Sequence, residues 1–217
     1  MKTALIFGSS GLVGKNLLNQ IINNSNYSKV KIFVRSSLEI SDQKVEIINT
    51  DFKDLQKIKN LIIGDDCFFC IGTTKKNSPD KNEYRRVELD LPKKIAQISK
   101  SNDIKSFIYV SSGFADPKNS GDYLKFKGLV EEEIKSLNFE KIGILRPSFL
   151  LGNRKENRLG EKIGIFIFKL LSPLFIGPIK KMKPIHSDIV AKAMIQIANE
   201  DIQQTIFESN EISDLVG

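Results

Sequence analysis

Three glycines spaced three residues apart, Gly8, Gly11 and Gly14, constrain the fold of this chain more than any other feature. They follow a short apolar run at residues 4–7 and precede a segment whose apolar residues recur as in an amphipathic helix. A glycine-rich turn between a buried strand and a helix is typical of sites that bind the phosphate groups of nucleotides. The sequence therefore predicts a nucleotide-binding turn at the beginning of the fold.

Each glycine of such a turn has a separate role. We expect Gly8 to permit the tight turn, Gly11 to let the backbone approach a pyrophosphate, and Gly14 to let the helix pack closely on the strand. The first helical turn offers free N–H groups and the positive end of the helix dipole to the phosphate. The further predicted contacts in this segment are Ser10, Leu12 and Val13. The spacing is G-x-x-G-x-x-G rather than G-x-G-x-x-G, and glycines that serve only the turn and its packing are the alternative interpretation.

Predicted strands and helices alternate up to Ser148. Most of the strands are apolar without an alternation of polar residues, which is typical of a parallel sheet covered by helices on both faces. We therefore predict an α/β fold with a doubly wound, mainly parallel Rossmann sheet. The predicted strands are residues 3–8, 29–35, 45–51, 66–72, 106–112 and 141–148, and the longer predicted helices are 84–100 and 123–137.

The regular alternation ends after Ser148. We predict one domain over residues 1–217, in which 149–186 form a loop and a short C-terminal cap on the substrate side. A closing helix and a last edge strand at 205–209 follow. The apolar segment 163–177 is expected to pack over the substrate cleft, and a membrane-surface or dimerisation patch is the alternative.

The charge balance, the cysteines and the lack of a recognisable targeting segment bear on the ligands that we expect the chain to bind and on its expected cellular location. The 33 Lys and Arg residues exceed the 26 Asp and Glu residues, a net charge of +7 that favours anionic ligands. Without a basic strip interleaved with aromatic residues, we expect no nucleic-acid partner. Cys67 and Cys70 should point to opposite faces of a strand as buried side chains, so no metal site is expected. With no signal peptide or membrane span recognisable in the sequence, the expected location is cytoplasmic.

The ends of the predicted strands indicate the dinucleotide. NAD sites usually carry an acidic residue after the second strand, to bind the ribose 2′-OH. Here Arg35 and Ser36 stand at that point, and a guanidinium pairs with a 2′-phosphate. We therefore predict NADP(H), with a solvated strand-end arginine as the alternative. The further predicted contacts follow the third and fourth strands: Asp51, Phe52, Ile71, Gly72 and Thr73.

The segment at 109–128 carries the strongest catalytic pattern. Tyr123 and Lys127 are four residues apart on a predicted helix and so share one face. A phenol can donate a proton to a carbonyl that is being reduced, if a nearby ammonium favours its ionised form. A serine hydroxyl at the end of the preceding strand, Ser112, could hold the substrate oxygen. The alternative is a tyrosine packed on the sheet beside a solvated lysine.

The motifs at 8–14, 111–112 and 123–127 together resemble those of the short-chain dehydrogenase/reductases. The segments 69–74, 123–134, 144–161 and 206–215 are similar, more narrowly, to the atypical branch that contains the Tat-interacting-protein oxidoreductases and their bacterial relatives. The resemblance covers nearly the whole chain. It implies NADPH as cofactor and a catalytic triad of Ser112, Tyr123 and Lys127. It also implies cofactor contacts at Arg35, Ile71, Gly72, Tyr123, Lys127, Leu150 and Arg158.

Two departures from the family pattern bear on the site. Ser148 stands where the family often has glycine after the Arg-Pro pair, so the backbone near the nicotinamide could differ. The interval from Ser112 to Tyr123 is short for the broader superfamily, which leaves Ser111 as an alternative catalytic serine. We expect His186 to be structural and the acidic run 131–133 to be a solvated helix face.

These patterns predict an NADPH-dependent oxidoreductase that acts on a small carbonyl or alcohol substrate, as a monomer or homodimer. A non-catalytic NADP(H)-binding regulator or redox sensor is the main alternative. A nucleotide-sugar epimerase is less favoured, because such enzymes usually carry a larger C-terminal substrate domain than the roughly 70 residues that follow Ser148.

Overall fold

A parallel sheet of seven strands runs through the part of the chain that the computed structural model describes, residues 1–36, 38–152 and 181–217. The strands of the described chain are β1 (Lys2–Phe7), β2 (Tyr27–Val34), β3 (Val45–Asn49), β4 (Asp66–Phe69), β5 (Ser106–Val110), β6 (Lys141–Arg146), β7 (Leu150–Leu151), β8 (Ile185–His186) and β9 (Ile206–Glu208). In the seven-stranded sheet they follow the order β3-β2-β1-β4-β5-β6-β9, and every neighbouring pair is parallel. Strands β7 and β8 pair with each other in a separate two-stranded sheet.

Helices cover both faces of the sheet. They are α1 (Leu12–Ile22), α2 (Gln56–Lys59), α3 (Lys81–Arg85), α4 (Leu91–Ser101), α5 (Asp122–Ser136), α6 (Ser187–Asn199) and α7 (Ser209–Val216). A π-helical turn, which we call the π segment (Arg86–Asp90), joins α3 to α4. Strands β1 and β4 lie side by side at the point where the strand order reverses. In open sheets of this kind, ligands bind at the carboxyl ends of the strands on either side of that point. The predicted doubly wound Rossmann sheet is confirmed.

The pleat of β1 explains why its sequence is apolar throughout. Ala4 and Ile6 pack into the core beneath α1 and α6, whereas Leu5 and Phe7 pack into the core beneath α4 and α5. Successive side chains of a strand point to opposite faces, and here both faces are buried. The same alternation separates Cys67 from Cys70, which belong to opposite cores as the sequence predicts.

Two helical features differ from the sequence-based expectation. The predicted helix at 84–100 is interrupted by the π segment and begins earlier, where the Asp80 side chain accepts the Glu83 N–H. Helix α7 was not expected; it is fixed by a capping box in which Glu208 and Glu211 each bind the other's backbone N–H. Because glutamate is not a usual residue at the N-cap, the sequence pattern that predicts helix starts does not predict this helix.

Within the described ranges, no helix is long and apolar enough to cross a membrane.

A buried polar cluster closes the amino-terminal edge of the sheet. The Tyr27 hydroxyl donates to Asp66 Oδ2 at 2.7 Å and accepts from Asn199 Nδ2 at 2.9 Å. The Lys2 ammonium lies 3.0 Å from the same Asp66 oxygen. Burial, together with the neighbouring Asp66 carboxylate, raises the pKa of Tyr27, which keeps its hydroxyl a donor. These contacts join β1, β2, β4 and the end of α6.

Substituting Tyr27→Phe is expected to lower the free energy of unfolding by about 1–3 kcal/mol, because buried Asp66 loses a hydrogen bond. Urea titration at neutral pH measures the change. Tyr109→Phe is the matched control, since the Tyr109 hydroxyl is buried without a hydrogen-bond partner among the described residues. That control should keep the stability of the wild type within about 0.5 kcal/mol. An equal loss in both variants would refute the role given to the Tyr27 hydroxyl.

Candidate functional site

The glycine turn joins β1 to α1 with almost no free space at two of its three glycines. Gly8 adopts φ +94°, and a Cβ there would lie 2.8 Å from the backbone of Cys70 and Ile71. A Cβ on Gly14 would lie 2.1 Å from the Gly8 carbonyl oxygen. Gly11, in contrast, would meet only the Gly8 carbonyl oxygen, at 3.3 Å. The fold therefore requires the first and third glycines, whereas the space beside the Gly11 Cα is left open to a ligand.

Gly11 is also the N-cap of α1, and no side chain caps this helix end. The first N–H groups of an α-helix have no partner within the helix, so those at the beginning of α1 remain free to donate. The first turn carries no acidic residue that would oppose an anion. Bare backbone donors and a helix dipole suit a phosphate group.

A cleft of about 240 Å³ opens from this turn across the carboxyl ends of β1, β2 and β4. We call it the turn cleft. None of the described residues that line it carries a carboxylate, whereas two carry a guanidinium, Arg35 and Arg86. This donor set fits a ligand with several phosphate groups, which is what a phosphorylated dinucleotide offers. The lining residues are Gly8, Ser10, Gly11, Phe33, Val34, Arg35, Phe52, Cys70, Ile71, Gly72, Thr73, Ser78, Arg86, Val87 and Leu91.

Arg86, which the sequence analysis did not single out, fixes the loop after β3. Its Nη1 donates to the Phe52 carbonyl at 2.9 Å, and its other nitrogens bind the Glu83 carboxylate at 2.7 Å. The hydrogen bond with Glu83 raises the pKa of Arg86. Phe52 has a left-handed backbone, φ 59°, so the loop depends on such an anchor. Arg86 therefore holds Phe52 at the wall of the turn cleft.

Tyr123 and Lys127 lie on one face of α5, as the sequence predicts, but in different surroundings. The Tyr123 side chain is 38% exposed, whereas Lys127 is buried. The Lys127 ammonium lies 5.8 Å from the centroid of the Tyr123 ring and 5.0 Å from that of Tyr109. It also approaches Glu88 Oε2 of the π segment at 3.1 Å. Tyr123 is thus accessible to a substrate, and the ammonium is held behind it.

The Lys127 ammonium keeps its charge although it is buried. Burial lowers the pKa of Lys127, but the polar groups around the ammonium outweigh burial and hold that pKa well above its ordinary value; of these groups, Glu88 supplies the negative charge. Burial also raises the pKa of the Tyr109 hydroxyl, which therefore stays neutral. Glu88 is thus the neighbour that forms an ion pair with Lys127.

The two serines after β5 have different partners. The Ser111 hydroxyl is buried and donates to Glu131 Oε1 at 2.5 Å. The Ser112 side chain is half-buried, and among the described residues its hydroxyl makes one long contact, 3.3 Å, with the Gly113 carbonyl. Of these two hydroxyls, that of Ser112 is the one left for a substrate oxygen.

The expectation of a solvated acidic face on α5 is wrong for Glu131. This residue is 1% exposed and binds the Arg146 guanidinium through both carboxylate oxygens, at 2.9 and 2.5 Å. Arg146 also reaches Glu208 at 3.2 Å. The hydrogen bonds with Glu131 raise the pKa of Arg146. The network links the end of β5 to α5, β6 and β9 below the site. The Glu131 carboxylate can be buried because Ser111 and Arg146 bind it.

Ser148, the departure from the family pattern, joins two parts of the chain. Its hydroxyl lies 3.0 Å from the Met182 carbonyl and 2.8 Å from that of Lys183, and its N–H donates to Ser209 Oγ. A glycine could not make the side-chain contacts. Ser148 therefore attaches the chain before β8 to the end of β6.

The predicted site residues fall into three groups in the structure. Those that line the turn cleft are Gly8, Ser10, Gly11, Arg35, Phe52, Ile71, Gly72 and Thr73. Those beside it are Leu12, Val13 and Gly14 in the first turn of α1, Ser36 after β2, and the exposed Asp51 before Phe52. Those on the other half of the sheet edge are Ser112, Tyr123 and Lys127, with Leu150 in β7. Arg158 and the apolar segment 163–177 lie outside the described residues.

A protein-family model described as NAD(P)H-binding matches residues 8–165. Protein HTATIP2 of Rattus norvegicus is 34% identical over 164 residues, which cover 74% of this chain and 67% of that protein. Protein FMP52, mitochondrial, of Eremothecium gossypii is 30% identical over 220 residues, which cover 98% and 96% of the two chains. The chain belongs to the atypical short-chain dehydrogenase/reductases. The resemblance seen in the sequence is confirmed, and this reductase-family chain carries an NAD(P)-binding Rossmann domain.

Solved structures show the same fold for this family member. The enzyme WbmH of Bordetella bronchiseptica, in complex with NAD+, superimposes with a TM-score of 0.73 at 15% identity, over 96% of this chain and 75% of that one. Vestitone reductase from alfalfa gives 0.65 at 17% identity, over 95% and 76%. At these identities the comparison establishes the fold.

The expected cytoplasmic location of this reductase-family chain is wrong as a plain statement. FMP52 relatives from several fungi, among them Candida glabrata and Debaryomyces hansenii, are mitochondrial by name. The lack of a recognisable signal peptide did not justify assigning the cytoplasm, since membership of this family does not imply it.

Proposed function

We propose that the chain is an NADP(H)-dependent oxidoreductase that reduces a small carbonyl compound or oxidises the corresponding alcohol. The observation that carries the proposal is that Tyr123, partly exposed in the first turn of α5, has a buried ammonium 5.8 Å from the centroid of its ring. An accessible phenol next to a fixed positive charge suits proton transfer to or from an oxygen atom. The cofactor, when bound, supplies or accepts the hydride.

Each residue of the triad has a role that its surroundings permit. The half-exposed Tyr123 hydroxyl would give a proton to the carbonyl oxygen during reduction and take it back during oxidation. The Lys127 ammonium would stabilise the phenolate left behind, because its charge is held close to the ring. Ser112, whose hydroxyl is not committed to a strong partner, would orient the substrate oxygen.

The preference for NADP(H) over NAD(H) rests on the lining of the turn cleft. Arg35 follows β2, where a 2′-phosphate on the adenosine ribose would lie, and no described lining residue is acidic. Arg86 lines the same wall, but its guanidinium is paired with the Glu83 carboxylate, so the preference rests on Arg35. A guanidinium binds a phosphate through paired hydrogen bonds, whereas the 2′-hydroxyl of NADH offers no charge to bind.

Substituting Arg35→Ala is therefore expected to weaken NADPH binding by about 10- to 100-fold and NADH binding by less than about threefold. Arg35 is exposed, so the substitution should leave the fold intact. Titration calorimetry with each nucleotide measures both constants, and Lys31→Ala, which removes a cation from β2, the strand that Arg35 follows, is the control. Equal losses for NADPH and NADH would contradict a 2′-phosphate contact.

The activity itself is tested with a panel of aldehydes and ketones, by following the oxidation of NADPH at 340 nm. Turnover of at least one class of carbonyl supports the proposal. Binding of NADPH without turnover of any member, and without the reverse oxidation of the matching alcohols, would favour a cofactor-dependent regulator instead.

A further inference from the structure

Glu88 is a buried acidic residue that contacts both the loop after β4 and Lys127. One carboxylate oxygen, Oε1, accepts the backbone N–H of Thr73, in the loop after β4 that lines the turn cleft. The other, Oε2, lies 3.1 Å from the Lys127 ammonium. Glu88 is 1% exposed and Lys127 4% exposed, so water screens neither charge.

The contact between Glu88 and Lys127 depends on the attraction of opposite charges rather than on a well-aligned hydrogen bond. Oε2 accepts no well-aligned hydrogen bond from the described residues, yet it lies within ion-pair distance of the ammonium. Among residues 1–36, 38–152 and 181–217, the ammonium has one further hydrogen-bond acceptor at long range, the Val110 carbonyl at 3.4 Å. A buried cation with so few partners would be costly unless a full negative charge lay beside it.

The π segment is what places Glu88 there. In this turn the Leu91 N–H donates to the Arg86 carbonyl, five residues back rather than four. The wider turn lets Arg86 line the turn cleft while Glu88, two residues on, faces Lys127. Such π turns often occur at functional sites.

We propose that Glu88 is a positioning residue that keeps Lys127 charged and fixed behind Tyr123, and that ties it to the cofactor loop at Thr73. The proposal rests on the proposed function in one respect: Lys127 acts in catalysis only if Tyr123 does. The link between Glu88 and the charge of Lys127 is a property of the chain itself. It exists without cofactor or substrate.

The other titratable groups near Lys127 do not replace Glu88. Facing the ammonium from the packed elements are Tyr84 of α3, Tyr109 of β5, Tyr123 of α5 and Cys70 after β4. Burial raises the pKa of Tyr84 to about 12, and it raises those of Cys70 and Tyr109 further. These three groups are therefore neutral near pH 7.

The test is the titration of Lys127 in the full chain without nucleotide. Lysine carrying ¹³C at Cε is incorporated, and the Lys127 resonance is identified as the one that Lys127→Met removes. In the wild type we expect this resonance to stay at its charged position at pH values where an ordinary lysine has lost its proton. In Glu88→Gln, which keeps the shape and an acceptor for the Thr73 N–H, we expect a titration at least about two pH units lower. Glu88→Asp, which retains the charge, should restore most of the difference.

An unchanged Lys127 titration in folded Glu88→Gln overturns the proposal. If the single variant does not fold, the double variant Glu88→Gln/Lys127→Met decides. Removal of both partners leaves no uncompensated charge, so the double variant should unfold at higher urea concentration than the single one. A double variant no more stable than the single one would also overturn it. Because no cofactor or carbonyl is present, this result is independent of the turnover assay.

Discussion

Turnover should fall roughly a thousandfold when Tyr123 is replaced by phenylalanine, because general acid–base catalysis by a positioned group is worth about 10²- to 10⁴-fold. The ring would stay in place at the beginning of α5, and only the hydroxyl, which is the proton donor, is lost. Binding of NADPH should change by less than about threefold, since in the proposed site the turn cleft would hold most of the cofactor. The loss would therefore appear in kcat rather than in the cofactor dissociation constant.

Steady-state kinetics on a carbonyl found by the panel, together with NADPH titration, measures both quantities for Tyr123→Phe. Tyr27→Phe is the control, because it also removes a phenol but lies at the opposite edge of the sheet, on β2. It should retain turnover within about twofold at 25 °C, where a loss of about 1–3 kcal/mol still leaves most of the chain folded. Wild-type turnover in Tyr123→Phe would exclude Tyr123 as the acid.

Gly14→Ala is expected to destabilise the fold by about 3 kcal/mol or more, a large part of the 5–15 kcal/mol typical of a domain. The new methyl would overlap the Gly8 carbonyl oxygen, which lies 2.1 Å from the Cβ position and belongs to the backbone. Relief of this overlap requires α1 to move away from the turn. Alanine favours a helix over glycine by about 1 kcal/mol, so the overlap must outweigh that gain.

Gly11→Ala separates packing from ligand binding in the same turn. Its methyl would meet only one atom, at 3.3 Å, so the free energy of unfolding should fall by no more than about 1 kcal/mol. The methyl would, however, stand where a pyrophosphate approaches, and NADPH binding should weaken at least tenfold. Urea unfolding and nucleotide titration of both variants measure these effects. A Gly14→Ala protein as stable as the wild type would refute the role in packing.

The elements of the fold were predictable because their patterns are local. Strands that are buried on both faces have continuous apolar sequences. The glycine turn is recognisable from the spacing of its glycines and from its position between a strand and a helix, and the structure requires glycine at Gly8 and Gly14. The placement of Tyr123 and Lys127 on one helix face was predictable because they are four residues apart, about one helical turn. The same locality explains why Ser111 and Ser112 could not be separated from sequence, since the choice depends on Glu131 of another element.

Buried charge was the part that local patterns could not predict. Glu131 lies within an acidic run that resembles a solvated helix face. Its carboxylate can be buried because the guanidinium of Arg146, on β6, binds it. Glu88 and Arg86 occupy a segment where the 3.6-residue period does not hold, so a helical projection assigns their faces wrongly. Partners distant in sequence determine these positions.

The π segment makes the spacing between α3 and α4 intolerant of a single-residue deletion. Loss of one residue there would restore regular α-helical pairing and turn everything before it by about 100° relative to α4. Arg86 and Glu88 would then rotate away from the Phe52 carbonyl and the Lys127 ammonium together. The extra residue of the π segment therefore positions two side chains at once, Arg86 at the turn cleft and Glu88 beside Lys127. A relative that lacked it would need a new anchor for the loop after β3 and a new counter-ion for the lysine.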